Sequence, residues 1–283
     1  MRANSTLALL ILIGAAACAQ ATGASARAAG LVQQTADDFR WAGRIAQGKA
    51  IEIKGVNGDI EALAASGTEV EVIARKHARR SDPASVSVMV VEHDGGVTIC
   101  AMYPTPTRSY RRGSQRDNGP NECRPGGEGR MNVRDNDVQV DFTVRVPANI
   151  RFIANNVNGP VFATSLRSDI EAYTVNGRIN LSTSGVASAE SVNGSIDATL
   201  GATKWNEPLD YRTVNGAITL TLPAGVAAEV RAETMNGRVS SDFPINIQTS
   251  RRRGRRITGT IGSGGRALHL STVNGGIRLR SSS

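Results

Sequence analysis

The sequence predicts an all-β chain wound as a β-solenoid of stacked coils, each about 20 residues long, continuous with a β region on its N-terminal side. Three observations predict it. A five-residue pattern (Val or Met, Asn, Gly, any residue, Ile or Val) recurs seven times. From Asn158 to Asn236 its copies stand 18, 17, 22 and 21 residues apart, a near-constant period of the kind stacked repeats produce. Of 283 residues only eleven are aromatic (five Phe, two Trp, four Tyr), against 30 glycines, which describes a thin core with many turns. The alternative reading of the same strands is an antiparallel meander folded into a β-sandwich.

Met1 to Ala21 reads as a secretory signal. Arg2 supplies the positive end, Leu7 to Ala17 is an apolar stretch too short to span a bilayer, and Ala17-Cys18-Ala19 is a small-x-small site with cleavage before Gln20. Residues 1–19 are thus the expected signal peptide and 20–38 a small-residue linker. The rival is a lipoprotein signal acylated at Cys18, although the leucine usual three positions before that cysteine is missing. No later apolar run is long enough to cross a bilayer. The expected location is therefore the periplasm or the cell surface, with a lipid anchor at Cys18 as the alternative.

Residues 39–150 form the expected N-terminal β region. Ala50 to Ile53, Glu69 to Ala74, Val86 to Val91 and Val97 to Cys100 alternate or run apolar, and Asp94-Gly95-Gly96 separates the last two as a hairpin turn. Asp141 to Val146, ended by Pro147, alternates cleanly and has one buried face. Between these strands lies an insert rich in Pro, Arg and Gly, bracketed by Cys100 and Cys123 and expected to project as a loop over Tyr103–Arg134. Export implies an oxidising compartment, so the two cysteines are expected to pair. A bridge across about 22 intervening residues stabilises by roughly 3 kcal/mol on the chain-entropy account.

Residues 151–283 hold the regular coils. The repeat corners are Asn57-Gly58, Asn158-Gly159, Asn176-Gly177, Asn193-Gly194, Asn215-Gly216, Asn236-Gly237 and Asn274-Gly275. Asn-Gly accepts positive φ at little cost and alone would signal a hairpin. The constant period makes it instead the corner of a coil, with Val, Ile and Asn-Gly aligned in columns. The position three before each Val or Met is always apolar: Ile53, Ala154, Ala172, Ala189, Tyr211, Ala232 and Leu270. The 38-residue gap from Asn236 to Asn274 equals about two units and contains an arginine run.

The formal net charge of +8 is local. Arg251, Arg252, Arg253, Arg255 and Arg256 contribute +5, and six arginines against three acids between Arg108 and Arg130 contribute +3, so the remaining chain is neutral. The run at Arg251–Arg256 is a candidate anion-binding loop for phosphate-rich polymers or lipid head groups; its bland counterpart is a solvated loop. Nucleic acid is disfavoured by export and by the absence of interleaved aromatics.

Candidate chemistry is sparse. The three histidines, His77, His93 and His269, show no metal-ligand or catalytic spacing. There is no nucleophile elbow and no phosphate loop. Asp135-Asn136-Asp137 with Asp141 lacks the Gly and terminal Glu of a calcium loop. The residue after each corner glycine (Asp59, Pro160, Arg178, Ser195, Ala217, Arg238, Gly276) is too mixed for a catalytic column. No catalytic residue, metal or cofactor is predicted.

The recurring V-N-G-x-I corners, the Val144-Arg145-Val146-Pro147 strand end and the closing Thr272-Val273-Asn274-Gly275-Gly276-Ile277 resemble the bacterial putative-adhesin family, an exported β-solenoid domain of unknown function. The resemblance covers residues 40–280 approximately and implies a fold, not an activity. The expected function is a non-enzymatic envelope module that contacts a polymer, a lipid head group or a surface protein through its flat stacked face or its basic inserts. The alternative is a carbohydrate-active enzyme, such as a polysaccharide lyase, on a β-helix.

Overall fold

The computed structural model describes residues 30–35, 37–106, 119–127, 129–245 and 255–282. Among them there is no α-helix, only one 3-10 turn at Pro83–Ser85. The N-terminal part contributes β1 (Leu31–Gln34), β2 (Asp38–Gly43), β3 (Ala50–Lys54), β4 (Ile60–Ala64), β5 (Val70–His77), β6 (Ser87–His93), β7 (Gly96–Met102) and β8 (Gln139–Val146). The repeat part begins with β9 (Arg151–Asn155), β10 (Val161–Leu166), β11 (Ile170–Asn176), β12 (Ile179–Thr183), β13 (Ala187–Asn193), β14 (Ile196–Leu200), β15 (Leu209–Asn215) and β16 (Ile218–Pro223). It ends with β17 (Ala228–Asn236), β18 (Val239–Ser241), β19 (Arg255–Ile261), β20 (Ala267–Asn274) and β21 (Ile277–Ser282). β1 falls inside the segment read as a linker and pairs antiparallel with β2.

Each coil has two strands, one in each of two facing sheets. The first sheet has eleven strands in the order β1-β2-β5-β8-β4-β10-β12-β14-β16-β21-β18, and the second has ten in the order β19-β17-β20-β15-β13-β11-β9-β3-β7-β6. Neighbouring coils pair in parallel and in register: Ile179 lies beside Ile196, Ile196 beside Ile218 and Ile218 beside Ile277. Parallel pairing excludes the antiparallel sandwich. Alternate residues point inward, so the isoleucine column is fully buried between the sheets. Ala172, Ala189 and Ala232 fill the facing wall, which explains why so few aromatics are needed.

Order in space departs from order in sequence at both ends. The coil β7/β8 stacks outside β3/β4, not between it and β9/β10. The last coil, β20/β21, sits between β15/β16 and β17/β18. The long gap before Asn274 therefore holds no second coil among its described residues. It holds β18 and β19, and β19 folds back antiparallel onto β17. Antiparallel strands close the other end as well: β6 on β7, and β5 then β2 beyond β8. Phe39 and Trp41 cover the core at one end, and Phe243, Ile257 and Ile261 at the other.

The corners stack into one column. The Asn158 amide donates to the Asn57 carbonyl oxygen at 2.9 Å, and Asn176 to Asn158, Asn193 to Asn176 and Asn215 to Asn193 each at 2.8 Å. The chain continues in spatial order, Asn274 to Asn215 and Asn236 to Asn274, again at 2.8 Å. Glycine is needed beside this ladder mainly for close approach. A Cβ on Gly194 would collide with the Gly177 carbonyl oxygen, and one on Gly216 with that of Gly194. Only Gly58 (+118°) and Gly159 (+146°) among the corner glycines have the positive φ that Asn-Gly suggests.

A third column was not read from the sequence. The residue directly before each Val or Met is a buried hydroxyl in five coils. Thr174 donates to the Gly159 carbonyl at 3.1 Å, Ser191 to Gly177 at 3.0 Å and Thr213 to Gly194 at 2.9 Å. Thr272 and Thr234 repeat the contact with Gly216 and Gly275. Asn156 replaces the hydroxyl in its own coil and donates to the Gly58 carbonyl at 2.8 Å.

A cleft on the outer face of the second sheet

Two devices fix the described part of the insert against the second sheet; it does not project. The first is the disulfide between Cys100, buried in β7, and Cys123, with Cα atoms 5.8 Å apart. Beyond it, the buried Asn121 amide donates to the Tyr103 and Asn132 carbonyls at 2.9 Å, and its oxygen accepts from the Asn132 N–H at 2.7 Å. The Tyr103 hydroxyl donates to the Val138 carbonyl at 2.7 Å, and burial pushes this phenol up to about 12.

The second device is Glu52, 3% exposed on β3. One carboxylate oxygen accepts from the Thr98 hydroxyl at 2.8 Å and from the Gly126 N–H at 3.0 Å. The other accepts from the Asn155 amide at 2.9 Å and lies 3.6 Å from the Lys54 ammonium. Lys54 in turn donates to the Arg124 carbonyl at 2.6 Å and to the Gly126 carbonyl. A buried carboxylate with every oxygen satisfied is costly to disturb, so it clamps the loop.

Between this loop and the corner ridge lies a cleft of about 220 Å³. Its apolar wall is Val56, Val157, Met131 and Tyr173, and a lip of Gly126 and Gly127 borders it. Past Asn155 and Tyr173 it continues into a second depression of about 280 Å³, over Glu171, Ser188, Glu190, Asp210 and Arg212. Strand register makes one row of Asn155, Tyr173, Glu190 and Arg212, each from a different coil. Tyr173 is 37% exposed, an outward aromatic on this face. Glu171 pairs with Arg151 at 3.3 Å, and Asp210 with Arg212 at 2.8 Å and His269 at 3.4 Å. Of the outward corner residues, Val56 and Val157 line the groove, while Val214 and Met235 are exposed further along the corner ridge.

Of the residues singled out in the sequence, the Cys100–Cys123 pair holds the wall of this cleft, and no described residue of the arginine run lines it. Arg251, Arg252 and Arg253 lie outside the described residues, as does Cys18 with the whole expected signal. Arg255 opens β19, at the opposite end of the second sheet from β7. Arg256 is engaged by Glu233 at 2.8 Å. Burial pushes the Glu233 carboxyl up, but hydrogen bonds and charge from Arg231 and Arg256 outweigh it and hold it below its ordinary value. The acids near residue 137 serve the backbone: Asp137 accepts from the Ser81 N–H at 2.8 Å and the Arg80 N–H at 3.1 Å, and Asp141 from the Asp59 N–H at 2.9 Å. Those bonds, from Ser81 first, lower the Asp137 carboxyl. Among the described residues no three His, Cys, Asp or Glu side chains are grouped to hold a metal ion. Tyr173 was missed, although the inward run Ile170, Ala172, Thr174 already fixes 173 as outward.

Residues 155–280, which span the regular coils, match the family model described as Toastrack DUF4097. No curated protein matches the chain. Among solved structures it is similar to a putative cell adhesion protein from Clostridium sporogenes, at 11% identity and a TM-score of 0.39, covering 86% of this chain and 99% of that one. It is also similar to a putative adhesin from Bacteroides fragilis, at 10% identity and a TM-score of 0.25, covering 88% of this chain and 98% of that one.

Proposed function

We propose that the protein is a non-enzymatic, adhesin-like binding module of the cell envelope that holds its ligand on the outer face of the second sheet. The observation that carries this reading is the cleft itself. A loop held by a disulfide and by a buried carboxylate forms a pre-organised wall, so little ordering is required on binding. The adhesin descriptions of the similar structures fit a surface-binding role, and Met1–Ala21 supplies an export route. Envelope polymers and surface proteins are the candidate partners, with lipid head groups at the arginine run as the competing site.

The groove does contain three carboxylates, which is what favours the enzymatic alternative. A general acid working near neutral pH needs a desolvated carboxyl. Here Glu171 and Asp210 are half-exposed and committed to arginines, and Glu190 is exposed to solvent, which argues for binding over bond cleavage.

Co-sedimentation with isolated envelope particles tests the assignment. Wild type is expected to sediment with them, and Tyr173→Ala to reduce the bound fraction at equal concentration by about tenfold in apparent affinity, as for a central aromatic anchor. Serine at 251, 252 and 253 is expected to leave it unchanged. Loss confined to the serine variant would move the site to the arginine run.

A further inference from the structure

From this groove we infer a ligand class: an uncharged, extended, β-linked polysaccharide laid along the solenoid axis, about one sugar per coil. The inference rests on the reading that this face is the binding face.

Three features select that ligand. The first is period. Outward side chains of successive coils repeat at the spacing of adjacent strands, about 4.8 Å, close to the rise of one sugar in a straight polysaccharide. Asn155, Tyr173, Glu190 and Arg212 therefore each fall beside a successive sugar of such a chain, whose units alternate in orientation. From β3 to β15 the second sheet has five adjacent strands, so the groove is about 19 Å long and accommodates roughly four sugars.

The second feature is the aromatic. The axial C–H face of a β-linked pyranose is flat and weakly electropositive, and the face of an aromatic ring is negative. Tyr173 stands where the two depressions meet and offers such a platform, with amide, hydroxyl and ion-paired groups around it to bond equatorial hydroxyls.

The third feature is charge. Glu171, Glu190 and Asp210 stand against Arg212 and Arg151 in the outer half of the groove, so it carries no net positive charge, and Lys54 is already turned onto the loop carbonyls. A polyanion would gain no net attraction there; a neutral chain meets donors and acceptors of both kinds. The groove and the arginine run thus suit opposite ligands.

Calorimetric titration of the full chain with defined oligosaccharides tests this. The probes are hexamers of β-1,4-linked glucose and of β-1,4-linked N-acetylglucosamine. The α-1,4-linked glucose hexamer, which coils, and a galacturonate hexamer, which is polyanionic, are the controls. At least one β-1,4 hexamer is expected to bind saturably, with affinity rising from dimer to tetramer and then levelling, and to exceed both controls at least tenfold. Tyr173→Ala should lose about tenfold while Tyr173→Phe retains most of the affinity, with thermal melts showing both variants folded. The absence of saturable binding by either β-1,4 hexamer overturns the ligand class. So does binding that Tyr173→Ala leaves intact, or binding no tighter than that of the controls. If envelope sedimentation still depends on Tyr173 in that case, the face stands and the ligand is a protein or another polymer. If sedimentation is also indifferent to Tyr173, both readings fall together.

Discussion

Thr213 shows what one residue does in a stacked coil. Its buried hydroxyl donates to the Gly194 carbonyl of the neighbouring coil, and that same carbonyl leaves no room for a Cβ on Gly216. Thr213→Val keeps the shape and removes the donor, leaving a buried carbonyl unpaired at a cost of about 1–3 kcal/mol. Urea unfolding should show that loss, with Thr213→Ser close to wild type; a valine variant as stable as wild type would mean that the hydroxyl column is incidental. Asn-Gly was legible as a corner, and its reason was only partly legible. Local sequence suggests positive φ, whereas most of these glycines are set by contact with the corner of a neighbouring coil. That contact exists only after stacking. The hydroxyl column could have been found, since Thr or Ser directly precedes Val or Met in five of the seven copies.

Elements were legible where their pattern is local. The alternation in β8 and the Asp94-Gly95-Gly96 turn between β6 and β7 could be read directly. The fold-back of the insert could not, because Glu52, Lys54 and Asn155 come from β3 and β9 and meet the loop only through sheet register. Cys100→Ser with Cys123→Ser should release one of the two holds on the loop. On the chain-entropy account it costs up to about 3 kcal/mol. The parallel coils from β9 to β16 do not depend on it, so circular dichroism should retain a β spectrum while envelope binding weakens. Full binding by the double serine variant would show that Glu52 and Lys54 hold the wall without the disulfide.

At the scale of the molecule, a periodic pattern specified a periodic fold, and the same periodicity hid the order of its parts. Every coil offers the same Asn, Gly and Ile columns, so sequence cannot say that β20/β21 lies between β15/β16 and β17/β18. The +8 charge resolves into a neutral body and two arginine-rich windows, and the floor of the groove is a face of the neutral body. That face has no motif, because its residues lie one per coil and converge only through register. Where binding occurs is therefore the claim on which the account stands. Backbone amide shifts of the labelled protein, followed by NMR during titration with solubilised envelope glycan, locate it directly. Binding in the groove predicts shifts concentrated at Asn155, Tyr173, Ser188, Glu190, Gly126, Gly127, Gly129 and Arg130, with Arg255 and Arg256 unmoved. Shifts clustered at Arg255 and Arg256, with the groove silent, would contradict it.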